Sequence, residues 1–415
     1  MKVLVIGGGG RCHAIVDALS RSEKVSTIYC APGNAGIESQ AVSVSIKETE
    51  VERLREFADI HDIDLTVVGP EVALAAGVVD VFKADGRRIF GPTKAAAQIE
   101  SSKEFAKELM KRHAIPTASF ETFTSYTEAM EYVRKGSLPT VLKYDGLAAG
   151  KGVVIAETLE EADAALSDML LNTKFGEGKV VIEEFLEGPE FSFMCFVDGK
   201  NVYPMAIAQD HKRAYDGDKG PNTGGMGAYS PVPFITSEDE AYALENVMIP
   251  TAAAMVEEGY SFSGVLYGGL IKTANGIKVI EFNARFGDPE TEVVLPRLKS
   301  DIYDIFSAIA DGTPATIEWH DFVTLGVVLA SKGYPGAYEG GFEIKNLEAV
   351  DAQVYHMGTA RRDDKIVTAG GRVLFVVGKG ADLKEARTNV LAEIAKIDCD
   401  ALFHRTDIGH WAIKG

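Results

Sequence analysis

Lys278 and the apolar pair Val279-Ile280 lead into Glu281-Phe-Asn283-Ala-Arg285-Phe-Gly287-Asp288-Pro-Glu290-Thr-Glu292, which crowds acids, an amide and an arginine into one segment, with Val279, Ile280 and Phe282 reading as strand. Side chains alternate along a strand, so Glu281 and Asn283 share a face, about 7 Å apart. Two oxygen donors on one face suit Mg²⁺, which takes one or two protein oxygens and completes its shell with water and substrate phosphate. Arg285, two residues on, points at the same region, and its fork can bind phosphate or carboxylate bidentately. The competing reading is an edge strand ending in the turn chemistry of Gly287-Asp288-Pro289.

The elements that must position this segment are legible upstream. Residues 118–190 read as a compact α+β unit with strands over 140–143, 153–155 and 180–186 and a helix over 159–170. Between its first two strands lies Asp145-Gly146-Leu-Ala-Ala-Gly150-Lys151-Gly152. Its small residues let the backbone close over a polyphosphate, with Lys143 and Lys151 supplying positive charge; a plain hairpin with a solvated lysine is the alternative. It is not a Walker loop, because no helix follows it directly. Glu183-Glu184-Phe185-Leu186-Glu187 can offer backbone groups to an adenine edge and a carboxylate to ribose hydroxyls, although acids at a strand end are also common on a solvated edge. Residues 209–231 read as a long loop dense in charge, glycine and proline, and such loops in compact domains are functional or disordered.

Residues 1–90 alternate strand and helix in the doubly wound manner. A strand over 2–6, a tight turn at Gly7-Gly8-Gly9-Gly10 and a helix beginning over 14–19 place backbone N–H groups near an anion. Strands over 27–29, 65–68 and 88–90 follow, with Gly33-Asn34, Gly69-Pro70 and Gly91-Pro92 at their ends, where α/β folds bind ligands. The glycine turn lacks the third glycine of GxGxxG, and no acid ends a clear second strand, so a nicotinamide cofactor is disfavoured. From 321 onward, strands over 323–329 and 372–377 and a final helix around 382–397 suggest a small β-rich domain.

At 415 residues the chain is long enough for about three domains. No apolar run approaches a bilayer span, and Met1-Lys-Val-Leu-Val-Ile6 meets glycines without a signal-peptide core. The four cysteines show no CxxC spacing, which fits a reducing, cytoplasmic setting and argues against structural zinc. A net charge of −19 disfavours nucleic acid or an anionic membrane as partner. Phosphate substrates must then rely on local Lys, Arg and backbone N–H groups.

The order of the pieces is Lys103 before the small unit, Lys143 and the glycine loop within it, acids at its exit strand, and Glu281-x-Asn283-x-Arg285 afterwards. That order resembles the ATP-grasp superfamily. Over all 415 residues the chain resembles, within it, the phosphoribosylamine–glycine ligase family. The resemblance rests on the N-terminal glycines with Arg11 and His13-Ala14, on Gly69-Pro70-Glu71, on residues 143–152 and 210–231, and on Arg285-Phe-Gly-Asp-Pro-Glu290.

The resemblance implies an α/β and α+β multidomain fold. It comprises an N-terminal doubly wound parallel-sheet domain (1–101), an ATP-grasp core of two α+β subdomains (102–320, with 118–189 as the small lid) and a small β-rich C-terminal domain (321–415). It implies ATP-dependent ligation of glycine to 5-phosphoribosylamine in purine biosynthesis, with Mg²⁺ or Mn²⁺ on Glu281 and Asn283, by a monomer or weak dimer. Lys103 and Lys143 would hold ATP phosphates under Gly146, Gly150, Lys151 and Gly152, while Glu183, Glu184, Phe185, Leu186 and Glu190 face adenine and ribose. Arg285 with Gly287 and Asp288 would meet glycine or the transferring phosphoryl group, and Asp210 and Asp216 the glycine ammonium. Gly8, Gly9 and Gly10 with Asn222, Thr223, Gly224, Gly225, Met226 and Gly227 would take the ribose phosphate. Another ATP-grasp carboxylate–amine ligase is the nearest alternative; a non-catalytic ATP sensor would have lost Lys143, Glu281 or Asn283. The chain departs from the family's usual Glu at Cys12 and Gln at Glu292, and has Gly268-Gly269 where many superfamily members carry a further metal acid.

Overall fold

The computed structural model describes residues 1–413 apart from 147–151, 173, 175 and 177. The chain opens with five parallel strands: β1 (Lys2–Gly7), β2 (Thr27–Pro32), β3 (Val42–Ser43), β4 (Leu65–Val68) and β5 (Ile89–Phe90), in the order β3-β2-β1-β4-β5. Val3, Leu4, Val5 and Ile6 are wholly buried, as a parallel strand covered on both faces requires. The strand order reverses between β1 and β4, so their carboxyl ends frame a crevice. The Gly7 turn and Gly69-Pro70-Glu71 sit at that crevice. The first helix is Gly10–Ser20, earlier than the expected start at Ala14, and the turn shrinks to Gly7, Gly8 and Gly9. The His13 N–H bonds the Gly9 carbonyl at 3.1 Å, closing a first turn that carries too few apolar residues for a periodicity argument to detect.

The small unit is an antiparallel sheet of β6 (Phe120–Phe123), β7 (Thr140–Tyr144), β8 (Val153–Ala156) and β9 (Val180–Glu184), ordered β6-β9-β7-β8. The helices Tyr126–Lys135 and Leu159–Leu166 cover it, and Ala129, Leu142, Leu166 and Ile182 form its separate core. β6 and the Tyr126–Lys135 helix were absent from the sequence reading, and the second helix leaves regular α geometry at Ser167. β9 stops at Glu184, so Phe185 and Leu186 lie beyond the strand expected over 180–186.

The next stretch contains β10 (Glu190–Asp198), β11 (Asn201–Pro204), β12 (Gln209–Asp210), β13 (Arg213–Tyr215), β14 (Lys219–Asn222), β15 (Gly227–Ser230), β16 (Ser263–Thr273) and β17 (Gly276–Asn283). β11-β10-β16-β17 form the core sheet. Along β16 and β17 Gly269 faces Glu281 but Leu270 faces Val279, a bulge that leaves Ile280 without a partner residue. Gly269 packs tightly there: a Cβ on it would lie 3.3 Å from the Glu281 Cγ, so that side chain would have to shift.

The C-terminal part adds β18 (Val323–Ser331), β19 (Gln353–His356), β20 (Thr359–Arg362), β21 (Lys365–Thr368), β22 (Arg372–Gly380) and β23 (Leu402–Phe403). Its sheet runs β12-β15-β18-β22-β19, with β23 on β18. The expected loop over 209–231 is therefore mostly strand: β12 and β15 belong to the C-terminal sheet, and β13 pairs with β14 as a hairpin. The reason is tertiary. Gly227 to Ser230 pair residue by residue with Val327 to Thr324, a partner that a glycine-rich sequence does not announce.

Aromatic packing fixes the end of β17. Phe286 is 1% exposed and lies 6.3, 5.9 and 6.1 Å from the rings of Phe90, Phe196 and Phe306, so β5, β10 and the Ile302–Asp311 helix all grip it. Each such pair contributes roughly 0.5–1.5 kcal/mol beyond area burial. Its neighbour Arg285 is thereby held in the crevice. Among the described residues no helix is long and apolar enough to cross a membrane.

Candidate active site

Lys143 on β7 donates from Nζ to the Ile280 carbonyl at 2.9 Å, the group left over by the bulge. The same Nζ lies 2.9 Å from Glu183 Oε1, an ion pair without hydrogen-bond alignment, while Lys107 Nζ lies 2.8 Å from Glu183 Oε2. Lys103 starts the helix Lys103–Arg112, whose cap is Ser102. Its Nζ donates to the Gly146 carbonyl at 3.0 Å, and Asp145 accepts the Lys103 N–H at 2.5 Å, which ties the glycine loop to this helix. Burial holds Lys103 below its ordinary range, against the attraction of Glu281 and Asp145.

Glu281 lies among these cations. Burial opposes its ionisation, yet Lys212, Lys143, Lys103 and Arg285 together keep its carboxyl below the usual range. Its charge is balanced by surrounding cations while its oxygens are left without a hydrogen-bond donor among the described residues. Asn283 accepts one bond, from Arg285 Nη2 at 3.0 Å, and keeps a second lone pair. An ionised, partly accessible carboxylate beside an amide oxygen is a hard donor set that fits Mg²⁺ or Mn²⁺.

Arg285 connects this centre to the N-terminal crevice. Its Nη2 lies 2.8 Å from Glu100 Oε1 and its Nε 3.4 Å from Glu71 Oε2, and Glu100 also accepts the Ala284 N–H at 2.8 Å. Burial raises Glu100 even so. Burial also opposes ionisation of Glu71, but Arg11 and Arg285 bring it down to about 2. Arg11 spans the crevice: Nη2 to Glu71 at 3.1 Å, Nη1 to the Phe286 carbonyl at 2.8 Å, and its N–H to Asp288 Oδ2 at 3.4 Å. From β22, Arg372 reaches Asp288 Oδ1 at 2.8 Å and donates to the carbonyls of Gly224 and Asp288 at 2.7 and 3.0 Å. Asp288 is thus the knot where the N-terminal sheet, the core and the C-terminal sheet meet, and its charge is taken by two arginines.

The structure brings together most of the residues singled out from sequence. Lys103, Lys143, Gly146, Glu281, Asn283 and Arg285 share one centre. Gly9 faces Asp288, whereas Gly8 packs on Gly33 and Gly10 on Glu292 and Met357; Arg372 grips both Asp288 and the Gly224 carbonyl. Gly150 and Lys151 lie outside the described residues, whereas Gly152 is described and accepts the Tyr144 N–H at 2.8 Å. Glu183 departs from its expected part, because its carboxylate is buried between two lysines and is not free for ribose. Glu184 accepts from Ser119 and Lys278 at 2.8 and 3.0 Å, Phe185 is 36% exposed, and Glu190 pairs with Lys212 at 3.0 Å. Asn222 is exposed on β14, Thr223 bonds back to the Lys212 carbonyl at 2.9 Å, and Met226 and Gly227 are buried structural residues of β15's approach.

Asp216 is a correction. Its carboxylate accepts the Thr406 N–H at 2.8 Å and the Thr406 hydroxyl at 2.6 Å, so it latches the β13–β14 hairpin to the C-terminal tail and is not brought to the centre. The same latch holds the one trio of potential metal ligands among the described residues, His211, Asp218 and His410. Buried Arg405 and the Trp411 indole both donate to Asp218, at 3.0 and 2.9 Å, so a cation already occupies that role. Asp210, by contrast, shares the charge of Lys212 with Glu281. Burial pushes its carboxyl up to about 7, with Lys212 opposing and Glu290 and Glu190 adding to the rise. At the two departures, Cys12 is wholly buried against the Ile6 carbonyl and pushed up to about 12, mainly by burial, and Glu292 is buried with both oxygens unpartnered among the described residues. Burial and then Asp288 hold Glu292 well above the carboxylate range. Lys107, Glu100 and Arg372 were missed. Lys107 had a local signal, since it follows Lys103 by one helical turn on the same face.

Models of three family domains match consecutive parts of the chain: the phosphoribosylglycinamide synthetase N domain over residues 1–100, its ATP-grasp (A) domain over 101–291 and its C domain over 324–411. Among curated proteins the chain is 55% identical over 417 residues to a phosphoribosylamine–glycine ligase of Halalkalibacterium halodurans, covering 100% of this chain and 97% of that one. It is 49% identical over 425 residues to the Salmonella typhimurium protein of the same name, covering 100% and 99%. The crystal structure of phosphoribosylamine–glycine ligase from Thermotoga maritima superposes with a TM-score of 0.88 at 34% identity, covering 98% of this chain and 100% of that one. A biotin carboxylase from Campylobacter jejuni, at TM-score 0.74 and 15% identity over 97% of this chain and 92% of that one, shares the fold.

Proposed function

The chain belongs to the phosphoribosylglycinamide synthetase family, and we propose that it joins glycine to 5-phosphoribosylamine at the expense of ATP with the division of labour set out below. The products are glycinamide ribonucleotide, ADP and phosphate, a step of purine biosynthesis. A carboxylate cannot be displaced directly by an amine, since oxide would have to leave. The glycine carboxylate therefore attacks the γ-phosphorus with loss of ADP, and the amine of phosphoribosylamine then attacks the acyl carbon of glycyl phosphate, losing a proton as phosphate departs. No protein nucleophile is needed, so catalysis is alignment and charge neutralisation.

Lys103, which donates to the Gly146 carbonyl, and Lys143 receive the ATP phosphates. Glu281 and Asn283 hold the divalent cation, Mg²⁺ or Mn²⁺, which when bound neutralises phosphate charge. Arg285 faces the reacting carboxylate and phosphoryl group. The Gly8-Gly9-Gly10 turn at a helix N-terminus, together with Gly224-Gly225 across the Asp288–Arg372 pair, takes the ribose phosphate. The observation that carries this reading is the convergence of Lys103, Lys143, Lys212 and Arg285 on the single carboxylate of Glu281. Small anionic substrates and four unpaired cysteines fit a cytoplasmic enzyme. The test is steady-state ADP release, expected only when glycine and phosphoribosylamine are both present. Equal release without glycine would overturn the assignment.

Asp210 takes the glycine ammonium. Its carboxyl is raised to about 7, so it is ionised above that pH and neutral below it. Only the ionised form attracts an ammonium, so the KM for glycine is expected to fall as pH rises from 6 to 8, and Asp210→Asn should flatten that profile. A glycine KM that is constant over the range in the unaltered enzyme would remove Asp210 from the role.

A further inference from the structure

Lys107 has no place in the roles above, yet it is as buried as the residues that do. Lys107, Lys143 and Glu183 are 3, 4 and 4% exposed. Lys107 Nζ donates to the Thr117 hydroxyl at 2.7 Å, and that hydroxyl donates to the Val279 carbonyl at 2.8 Å. Lys143 Nζ donates to the next carbonyl of the same strand, Ile280, at 2.9 Å. Glu183 lies between the two ammonium groups, 2.8 Å from one and 2.9 Å from the other. The result is a closed ring joining the Lys103–Arg112 helix, the lid strands β7 and β9, and β17 one residue before Glu281.

The charge count gives the ring a purpose. Two lysines and one glutamate leave a net positive charge. With Lys107 absent, Glu183 would cancel Lys143 alone, and in a water-poor site that cancellation is felt strongly by an approaching phosphate. We propose that Lys107 is a positioning residue for ATP: it occupies Glu183 and so leaves the Lys143 ammonium fixed on β17 with its charge available to the nucleotide phosphates. The inference rests on the reading of Lys143 as an ATP lysine.

The test is calorimetric binding of Mg·ATP in the absence of glycine, with KM and kcat measured alongside. Lys107→Met is expected to weaken ATP about tenfold, the scale of one charge-assisted hydrogen bond, while the KM for glycine stays within about twofold. Glu183→Gln removes the charge that Lys107 offsets, so the double variant Lys107→Met/Glu183→Gln regains the ring's one net positive charge and should bind ATP as the unaltered enzyme does. A purely structural lysine would give no such cancellation. ATP affinity unchanged in Lys107→Met, or a double variant that binds ATP tenfold more weakly than the unaltered enzyme, would overturn the inference. If Lys107→Met does not fold, that second comparison decides alone. Lys143→Met separates the two levels: loss of ATP binding there with none in Lys107→Met refutes only the positioning role, whereas retained binding in Lys143→Met refutes the underlying reading of Lys143.

Discussion

Glu281→Ala is expected to lower turnover by about 10³-fold or more, because removing a ligand of the catalytic cation forfeits several kcal/mol of transition-state charge stabilisation. Binding of ATP without metal should not weaken. The lost carboxylate is itself a competitor of the phosphates for Lys212, Lys143, Lys103 and Arg285, so its removal frees cations. The variant should therefore separate two quantities that a damaged fold would lower together: metal-dependent turnover falls, and metal-free nucleotide affinity holds. A rate within tenfold of the unaltered enzyme at saturating Mg²⁺ would sink the metal assignment. Glu281→Gln keeps the shape and removes the charge, and it too should lose at least about 10²-fold, since neutral amides are poorer ligands for a hard cation.

What made Glu281 legible was local. Strand alternation and apolar neighbours placed Glu281 and Asn283 on one face before any tertiary information, and Arg285 followed by continuity. The parallel N-terminal sheet was legible for the same reason, since Val3 to Ile6 form an unbroken apolar run that ends at the glycine turn. Asp216 was not legible, because its partner Thr406 is 190 residues away and any acid in a Gly-rich turn resembles a ligand. Arg372 was equally invisible: it closes on Asp288 across 84 residues, from a strand whose other residues give only an apolar pattern. Glu183 was misjudged for a related reason. A glutamate at the end of a strand looks solvated until the two lysines that bury it, one from a helix and one from a neighbouring strand, are in place. β12 and β15 were missed because a two-residue and a four-residue strand owe their conformation to pairing, β12 with β15 and β15 with β18, and not to propensity.

Removal of Arg285 tests whether the crevice is held by charge balance, and its effect on stability should be as large as its effect on rate. Arg285→Met leaves Glu100 buried with no cation at hydrogen-bond distance among the described residues, although Glu71 keeps Arg11. Breaking a buried pair from one side costs about 3–5 kcal/mol, so a clear fall in melting temperature should accompany loss of activity. The sign of the pH dependence follows from Glu100. Burial already raises its carboxyl, and loss of Arg285 can only raise it further, so the ionised form is the destabilising one. Protonation relieves the penalty, and the stability deficit of Arg285→Met should shrink as pH is lowered through the raised value and grow as pH rises. Adding Glu100→Gln should recover most of the lost stability, because the uncompensated charge is gone. Turnover should stay low in that double variant, since the fork that meets the glycine carboxylate and the phosphoryl group is still missing. Recovery of both stability and turnover would mean that Arg285 serves only to neutralise Glu100, and the phosphoryl contact would then pass to Lys103 and Lys143.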